Sequence, residues 1–120
     1  MKINLDDAKP IYLQVAEGIE DDILDGYINE EEQVMSTNQF ASMYGINPAT
    51  AGKGINLLVS EGILFKKRGI GMFAKVGAKE QIKKKRRKLF FDEYVISMLK
   101  EAKKLDITKD EIIKMLSESE

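Results

Sequence analysis

The chain has 120 residues, of which 43% are hydrophobic and 32% are charged, and this length is typical of one globular domain. We expect one compact unit with a helical appendage and no second full catalytic or ligand-binding domain. The chain contains no histidine and no cysteine. This composition removes the commonest general base, the commonest metal ligand, thiolate chemistry and disulfides. An active site built from lysine and carboxylate residues is physically possible, but no motif in the sequence arranges one. We therefore expect no catalytic residue, no metal, no cofactor and no enzymatic activity.

The first residues lack the basic flank and apolar core of a secretion signal, and no apolar stretch is long enough to cross a membrane. We expect a cytoplasmic protein with no membrane partner.

The net charge of −1 is unevenly distributed along the chain. Residues 1–35 carry two lysines against ten acids, a net charge of −8. Residues 36–76 carry five cations against one acid, a net charge of +4, and residues 77–120 carry twelve cations against nine acids, a net charge of +3. The middle of the chain is selectively basic, which is typical of a surface that faces nucleic acid.

The first predicted element is an amphipathic helix that follows Pro10 and ends near Gly26. Its apolar residues recur every four positions, at Ile11, Val15, Ile19 and Ile23.

Two more helices are predicted from their capping residues. Ser36 and Gln39 have the spacing of a capping box and predict a short helix that buries Phe40, Ala41 and Met43 and ends at Tyr44-Gly45. Asn47-Pro48 then predicts a side-chain cap and a helix that runs from Pro48 to about Ser60. Two helices joined by a short turn that contains glycine are typical of a helix-turn-helix.

A β-hairpin is predicted after the third helix. Ile63–Lys66 and Met72–Val76 read as strands, and the basic, glycine-containing segment Lys67–Gly71 reads as the turn between them. The hairpin is the wing of a winged helix-turn-helix, which we assign to residues 1–77.

The C-terminal tail, residues 78–120, is predicted to form two helices. Phe91, Met98 and Leu105 lie seven residues apart, with Val95 and Ala102 between them, and this spacing favours a seam against a partner helix. An intramolecular helix hairpin is the alternative. The fold class is therefore mainly α with a small β-hairpin, a winged helix-turn-helix followed by a two-helix dimerisation tail.

A second capping box, Thr108 to Glu111, opens the last helix of this tail. That helix is predicted to bury Ile112, Ile113 and Leu116.

The helix from Pro48 to Ser60 has two faces. Its apolar residues, Ala51, Ile55, Leu58 and Val59, share one side, and a small polar set shares the other. This second set consists of Ala49, Gly52, Lys53, Asn56 and Ser60.

The polar face of this helix matches the chemistry of a major groove. Asn56 suits an adenine edge, Lys53 suits a phosphate or a guanine, and the methyl group of Ala49 or Thr50 suits a thymine methyl. An ordinary solvated helix face is the alternative.

The wing tip, formed by Lys66, Lys67 and Arg68, has cations that can neutralise phosphates, and Arg68 beside Gly69 can also enter a minor groove. The predicted DNA-contacting residues are Ser36, Thr37, Asn38, Asn47, Ala49, Thr50, Gly52, Lys53, Asn56, Lys66, Lys67, Arg68, Gly69 and Gly71.

Gly52 and Gly54 each cost the third helix about 1 kcal/mol relative to alanine. A close crossing of the preceding helix explains Gly54, and a close approach to DNA explains Gly52. A weak helix that its packing tolerates is the alternative.

The basic run at residues 83–88 reads first as a solvated helix face, and contact with flanking DNA or with RNA stays open.

The chain resembles the GntR family of bacterial regulators, and within it the short YtrA-like branch. The resemblance covers residues 8 to about 78. It rests on Pro10-Ile11-Tyr12-Leu13-Gln14-Val15, Gly26, Ser36, Phe40-Ala41, Tyr44–Thr50, Ser60–Leu64 and Lys67–Phe73. The Asn-Pro-x-Thr start and the short tail point to the YtrA-like branch. The resemblance implies a homodimer on pseudo-palindromic, double-stranded operator DNA, often a repressor of its own operon and frequently of ABC transporter genes.

The sequence departs from the family pattern at two positions. Relatives usually carry arginines that contact DNA where this chain has Asn38 and Ala49, whereas Lys53 stands where a further arginine is common. The operator sequence therefore does not transfer from relatives. These departures and the acidic first helix leave open an alternative, a protein-interaction adaptor with a winged fold. No residue set indicates a small-molecule effector.

Overall fold

The structure, a computed structural model, describes all residues from 1 to 120. Its helices and strands follow one another as α1 (Ile11–Leu24), α2 (Thr37–Tyr44), α3 (Pro48–Ser60), β1 (Leu64–Lys67), β2 (Gly71–Ala74), α4 (Ala78–Phe90), a π-helical turn (Phe91–Val95), α5 (Ile96–Lys104) and α6 (Lys109–Glu118). No helix among them is both long and apolar enough to cross a membrane.

The chain forms two compact units, which we call the N-terminal unit (Met1–Lys83) and the C-terminal unit (Lys84–Glu120). The first turns of α4 belong to the N-terminal unit, because Ala78 and Ile82 are buried in its core. The functional division predicted between residues 77 and 78 stays a prediction.

The core of the N-terminal unit is built by the helices α1, α2 and α3 and by the inner side of the hairpin. The predicted four-residue spacing of α1 is confirmed, since Val15, Ile19 and Ile23 are buried. They pack with Phe40 and Ala41 of α2 and with the apolar face of α3. Burial of these side chains, each worth about 1.5 to 3 kcal/mol, holds the three helices together.

Both capping boxes predicted from the sequence are confirmed. The backbone N–H of Gln39 donates to Ser36 Oγ over 3.1 Å, and the backbone N–H of Ser36 donates to Gln39 Oε1 over 3.0 Å. Thr108 and Glu111 form the same reciprocal pair at the start of α6. Each box satisfies amide groups that the first helical turn leaves without a partner.

The prediction that Met43 is buried is wrong. The buried face of α2 is formed by Phe40 and Ala41, and Met43 is 65% exposed. Successive residues of an α-helix are about 100° apart, so Met43 lies about 60° from Phe40 on the side away from Ala41, and about 160° from Ala41. It therefore falls outside the face that Phe40 and Ala41 share.

The prediction that α6 buries three apolar residues holds only for Ile112. Ile113 is 60% exposed and Leu116 is 62% exposed. The C-terminal unit has too few helices to cover both sides of α6, and besides Ile112 only Ala102 among its apolar side chains is buried.

Candidate nucleic-acid interface

The turn between α2 and α3 fixes the start of the third helix. Gly45 ends α2 with φ +63° and ψ +37°, a left-handed conformation that glycine adopts without steric cost. Two residues later the backbone N–H of Ala49 donates to Asn47 Oδ1 over 2.8 Å, and Pro48 occupies the first helical position. The predicted helix-turn-helix geometry is therefore set by local interactions.

The two predicted faces of α3 are present in the structure. Ala51, Ile55 and Leu58 are buried, and Val59 is half-buried. The opposite side, which we call the outer face of α3, is exposed at four of its five residues and half-buried at Gly52. The outer face consists of Ala49, Gly52, Lys53, Asn56 and Ser60.

The two glycines of α3 lie in different surroundings. A Cβ atom on Gly54 would lie 2.5 Å from the backbone oxygen of Tyr12 and 2.9 Å from Val15 Cβ. Gly54 therefore permits a close helix crossing, but the partner is α1 and not the preceding helix, α2, as predicted from the sequence. A Cβ atom on Gly52 would lie 3.5 Å from Thr37 Cγ2, an ordinary contact, so no packing inside the protein requires that glycine.

The wing is a two-stranded antiparallel hairpin in which Leu64 pairs with Ala74 and Lys67 with Gly71. Gly69 has φ +76° and Gly71 has φ +146°, so both occupy conformations that other residues rarely adopt. Lys66 and Arg68 are exposed at the tip. The wing therefore presents cationic side chains around a turn that its glycines allow.

A cation–π contact orders one face of the wing. The rings of Phe65 and Phe73 face each other across the two strands, with centroids 5.8 Å apart. Lys67 Nζ lies 4.4 Å from the Phe73 centroid and 5.7 Å from the Phe65 centroid. The ring faces attract the ammonium group, so this lysine is held more firmly than a free surface lysine.

The segment before α2 is hydrogen-bonded to the wing. The backbone N–H of Val34 donates to the oxygen of Met72 over 2.9 Å, and Gln33 Nε2 donates to the backbone oxygen of Ile70 over 3.0 Å. A Cβ atom on Gly71 would collide with Gln33 Nε2. The tip is therefore tied to the segment that leads into the helix-turn-helix.

All fourteen predicted DNA-contacting residues are exposed or half-buried in the structure. Ser36 and Asn47 each use a side-chain oxygen as a helix cap, which leaves the hydroxyl hydrogen of Ser36 and the amide hydrogens of Asn47 available to donate. Their assignment to DNA stays a prediction.

Two residues that matter for this surface were not among the predicted site residues. Tyr12 lies under the ammonium group of Lys53, with 4.1 Å between Nζ and the ring centroid. Gln33 holds the wing tip. Both act across more than 35 positions of sequence, so no local pattern identifies them, although Tyr12 belongs to the Pro-x-Tyr-x-Gln motif on which the resemblance rests.

The residues of the predicted seam all lie in the C-terminal unit. Phe91 is 51% exposed and Leu105 is 60% exposed, whereas Ala102 is buried. Met98, Ala102 and Leu105 line an apolar groove of about 470 Å³ together with residues of α6. Phe91 begins the π-helical turn, which holds more residues than an α-helical turn, so a spacing of seven does not by itself align it with Met98.

Comparison with known proteins places this arrangement in a family. Residues 11–74 match the family described as "Bacterial regulatory proteins, gntR family". The HTH-type transcriptional repressor NagR of Bacillus subtilis is 31% identical over 81 residues, which is 68% of this chain and 33% of that protein. The chain spans about a third of the length of the curated relatives it matches.

Solved structures show the same fold. The transcriptional regulator of the GntR family from Bacteroides thetaiotaomicron has a TM-score of 0.78 and 38% identity, over 90% of this chain and 94% of that one. YtrA from Sulfolobus acidocaldarius, a GntR-family transcription factor, has a TM-score of 0.61 and 27% identity, over 98% and 87%. AraR(DBD) in complex with operator ORX1 has a TM-score of 0.51 and 33% identity, over 52% and 76%.

The matched range covers α1 to β2, the elements that build the outer face and the wing. The resemblance to the GntR family and its YtrA-like branch is thereby confirmed, and the family is one of transcription regulators, not of enzymes. The chain belongs to the gntR family of bacterial regulatory proteins and has its DNA-binding, winged-helix fold.

Proposed function

We propose that this protein binds double-stranded operator DNA in a sequence-specific manner, as a homodimer, and represses its own operon. The observation that carries the proposal is the outer face of α3, exposed, small and polar, in a unit that also carries a cationic wing. Its proposed ligand is chromosomal DNA, so we place its action in the cytoplasm. The family resemblance adds ABC transporter genes as the proposed targets.

The outer face of α3 provides the base contacts in this proposal. Small side chains at Ala49 and Gly52 let the helix backbone approach the floor of a major groove. Asn56 carries the donor and acceptor pair that matches the N6 and N7 atoms of adenine. The complex of AraR(DBD) with operator ORX1 supports DNA as the ligand of this fold.

The wing supplies contacts that position the protein without reading sequence. Lys66 and Arg68 are exposed at its tip, and cationic side chains neutralise phosphates. The bracing of Ile70 by Gln33 keeps the tip in one place, so fewer conformations are lost on binding.

The departures from the family pattern predict a distinct operator. Asn38 and Ala49 stand where relatives carry DNA-contacting arginines, and both are exposed. Each lost bidentate pair with a base removes about 1 to 3 kcal/mol of discrimination. We therefore expect an operator whose base preferences differ from those of arginine-bearing relatives.

The C-terminal unit supplies the dimer interface in this proposal. Nine of its large apolar side chains are more than a third exposed, in a unit of 37 residues. These residues are Leu89, Phe90, Phe91, Tyr94, Met98, Leu105, Ile113, Met115 and Leu116. So many exposed apolar side chains in so small a unit are typical of a surface that a partner covers. A second copy covers it with the same groups, as an isologous interface requires.

The direct test is a mobility-shift assay on DNA from upstream of the protein's own gene. We expect a site with two half-sites about 34 Å apart, one helical turn. A dimer that touches roughly 6 to 8 phosphates loses about a thousandfold to ten-thousandfold in affinity between 50 and 200 mM salt. Random DNA that competes as well as the upstream fragment would contradict sequence-specific regulation.

The dimer is tested with the double variant Leu105→Glu, Leu116→Glu. We expect wild-type protein to sediment at twice the chain mass of 13.6 kDa and the variant to sediment as a monomer, because carboxylates are costly to bury. DNA affinity then falls by about a hundredfold or more, since the two half-sites are no longer linked.

The matched control for the dimer is Leu5→Glu, Tyr27→Glu, which makes the same charge change at two side chains that are 67% and 79% exposed in the N-terminal unit. It is expected to stay dimeric. Dimeric sedimentation of the Leu105/Leu116 variant would place the interface elsewhere.

A further inference from the structure

A half-buried aromatic ring lies directly against Lys53, the single cation of the third helix. Lys53 Nζ is 4.1 Å from the centroid of the Tyr12 ring, well inside the range of about 6 Å within which a ring face attracts an ammonium group. Lys53 itself is exposed and Tyr12 is half-buried, so the contact lies at the edge between core and solvent.

The backbones that carry these two side chains are fixed relative to each other. α1 and α3 cross at Gly54, where no Cβ atom fits between the helix and the backbone oxygen of Tyr12. Val15, one turn after Tyr12, is fully buried at the same crossing. The freedom that is left lies in the two side chains, of which the four-carbon chain of Lys53 is the longer, and its contact with the Tyr12 ring restricts it.

The contact with Tyr12 also places the Lys53 ammonium group away from the centre of the outer face of α3. On α3, Gly54 faces α1, and Lys53 is one residue, about 100°, away from it. Asn56 and Gly52 lie further round, on the side opposite α1. An ammonium group held at Tyr12 is thus displaced from the centre of the outer face towards its α1 edge.

We propose that Tyr12 is a positioning residue that directs the Lys53 ammonium group to a phosphate of the DNA backbone and not to a base edge. The inference rests on the proposed DNA-binding function and deepens it. An ammonium group recognises a phosphate as a point charge without a set orientation, whereas reading guanine requires it to reach O6 and N7 in the groove. Lys53 therefore contributes affinity, and base selection falls to the remaining outer-face residues.

The contact itself is tested in the free protein by NMR. The ring current of Tyr12 is expected to shift the Lys53 ε-methylene protons upfield, relative to those of Lys109, which has no ring near it among the ring contacts of the structure. Tyr12→Leu abolishes the shift, and Tyr12→Phe, which keeps the ring, retains it. A wild-type shift equal to that of Lys109 would overturn the inference without any DNA being present.

Binding to the upstream DNA then tests the role. We expect Tyr12→Leu to weaken binding about two- to fivefold and Tyr12→Phe to rescue it. Lys53→Met is expected to reduce the salt slope by about 1.8, because the dimer then loses one phosphate contact at each of its two half-sites. The affinity lost in Tyr12→Leu and the affinity lost in Lys53→Met are each expected to be the same for every single-base variant of the operator. In the Lys53→Met background, Tyr12→Leu is expected to have no further effect.

Three outcomes decide between explanations. Relaxed preference at a single base pair in Lys53→Met would show that Lys53 reads a base, and the inference fails. An equal effect of Tyr12→Leu with and without Lys53 would show a merely structural role, and it fails again. Wild-type protein that does not distinguish the upstream fragment from random DNA overturns the proposed function instead, while the NMR result still stands.

Discussion

We expect the double variant Lys53→Glu, Arg68→Glu to lose at least about a hundredfold in affinity for its upstream DNA, since each dimer then lacks about four phosphate contacts and gains four repelling charges. One substitution lies on the outer face of α3 and the other on the wing tip, and both side chains are exposed. Folding is expected to be unaffected. The measurement is a titration by fluorescence anisotropy, with thermal unfolding of the same samples.

The matched control for this variant is Lys109→Glu, Lys114→Glu, two exposed lysines of α6. It changes the net charge by the same amount, so it reports the general effect of charge on association with DNA. Comparable losses in the two variants would mean that no defined surface binds DNA. Unchanged binding of the Lys53/Arg68 variant would favour the alternative of a protein-interaction adaptor.

The parts of the fold that sequence predicts well are those that local chemistry specifies. Ser36 caps α2 through Gln39 three residues later, and Asn47 caps α3 by accepting from the backbone N–H of Ala49 two residues later, so each signal lies within one helical turn. The buried face of α3 follows from a spacing of three and four residues. These short-range rules suffice to predict the helix-turn-helix.

The parts that sequence does not predict depend on contacts between distant residues. Lys53 contacts Tyr12, 41 positions earlier in the sequence, and Gln33 donates to the backbone oxygen of Ile70, 37 positions later. No repeating spacing in the sequence indicates either contact. The partner of Gly54 was wrongly assigned to α2 for the same reason. A glycine inside a helix indicates that something comes close, but the topology decides whether α1 or α2 does.

The C-terminal tail shows a second limit of prediction from the sequence. Its apolar spacing predicts that residues are covered, but it does not say by what, and Ile113 and Leu116 are exposed in the single chain. The π-helical turn at Phe91–Val95 also has no sequence signal, since it differs from the α-helix only in one inserted residue.

We expect the two glycines of α3, Gly52 and Gly54, to respond in opposite directions to alanine. Gly54→Ala places a methyl group against the Tyr12 backbone, so α1 and α3 must separate, at a cost of about 1 to 3 kcal/mol that exceeds the helix-propensity gain of about 1 kcal/mol. Gly52→Ala meets only Thr37 at van der Waals distance and keeps that gain, so its free energy of unfolding rises by up to about 1 kcal/mol.

Thermal unfolding of the two variants beside wild type measures this contrast, and 1 kcal/mol corresponds to roughly 4 to 8 °C in Tm for a domain of this size. A Gly54→Ala protein as stable as wild type would show that the helix crossing gives way. Gly52→Ala is also expected to bind its operator more weakly although it is the more stable protein, because its methyl group projects from the outer face of α3. Stability and affinity that change in opposite directions at one position distinguish a residue kept small for a ligand from one kept small for packing.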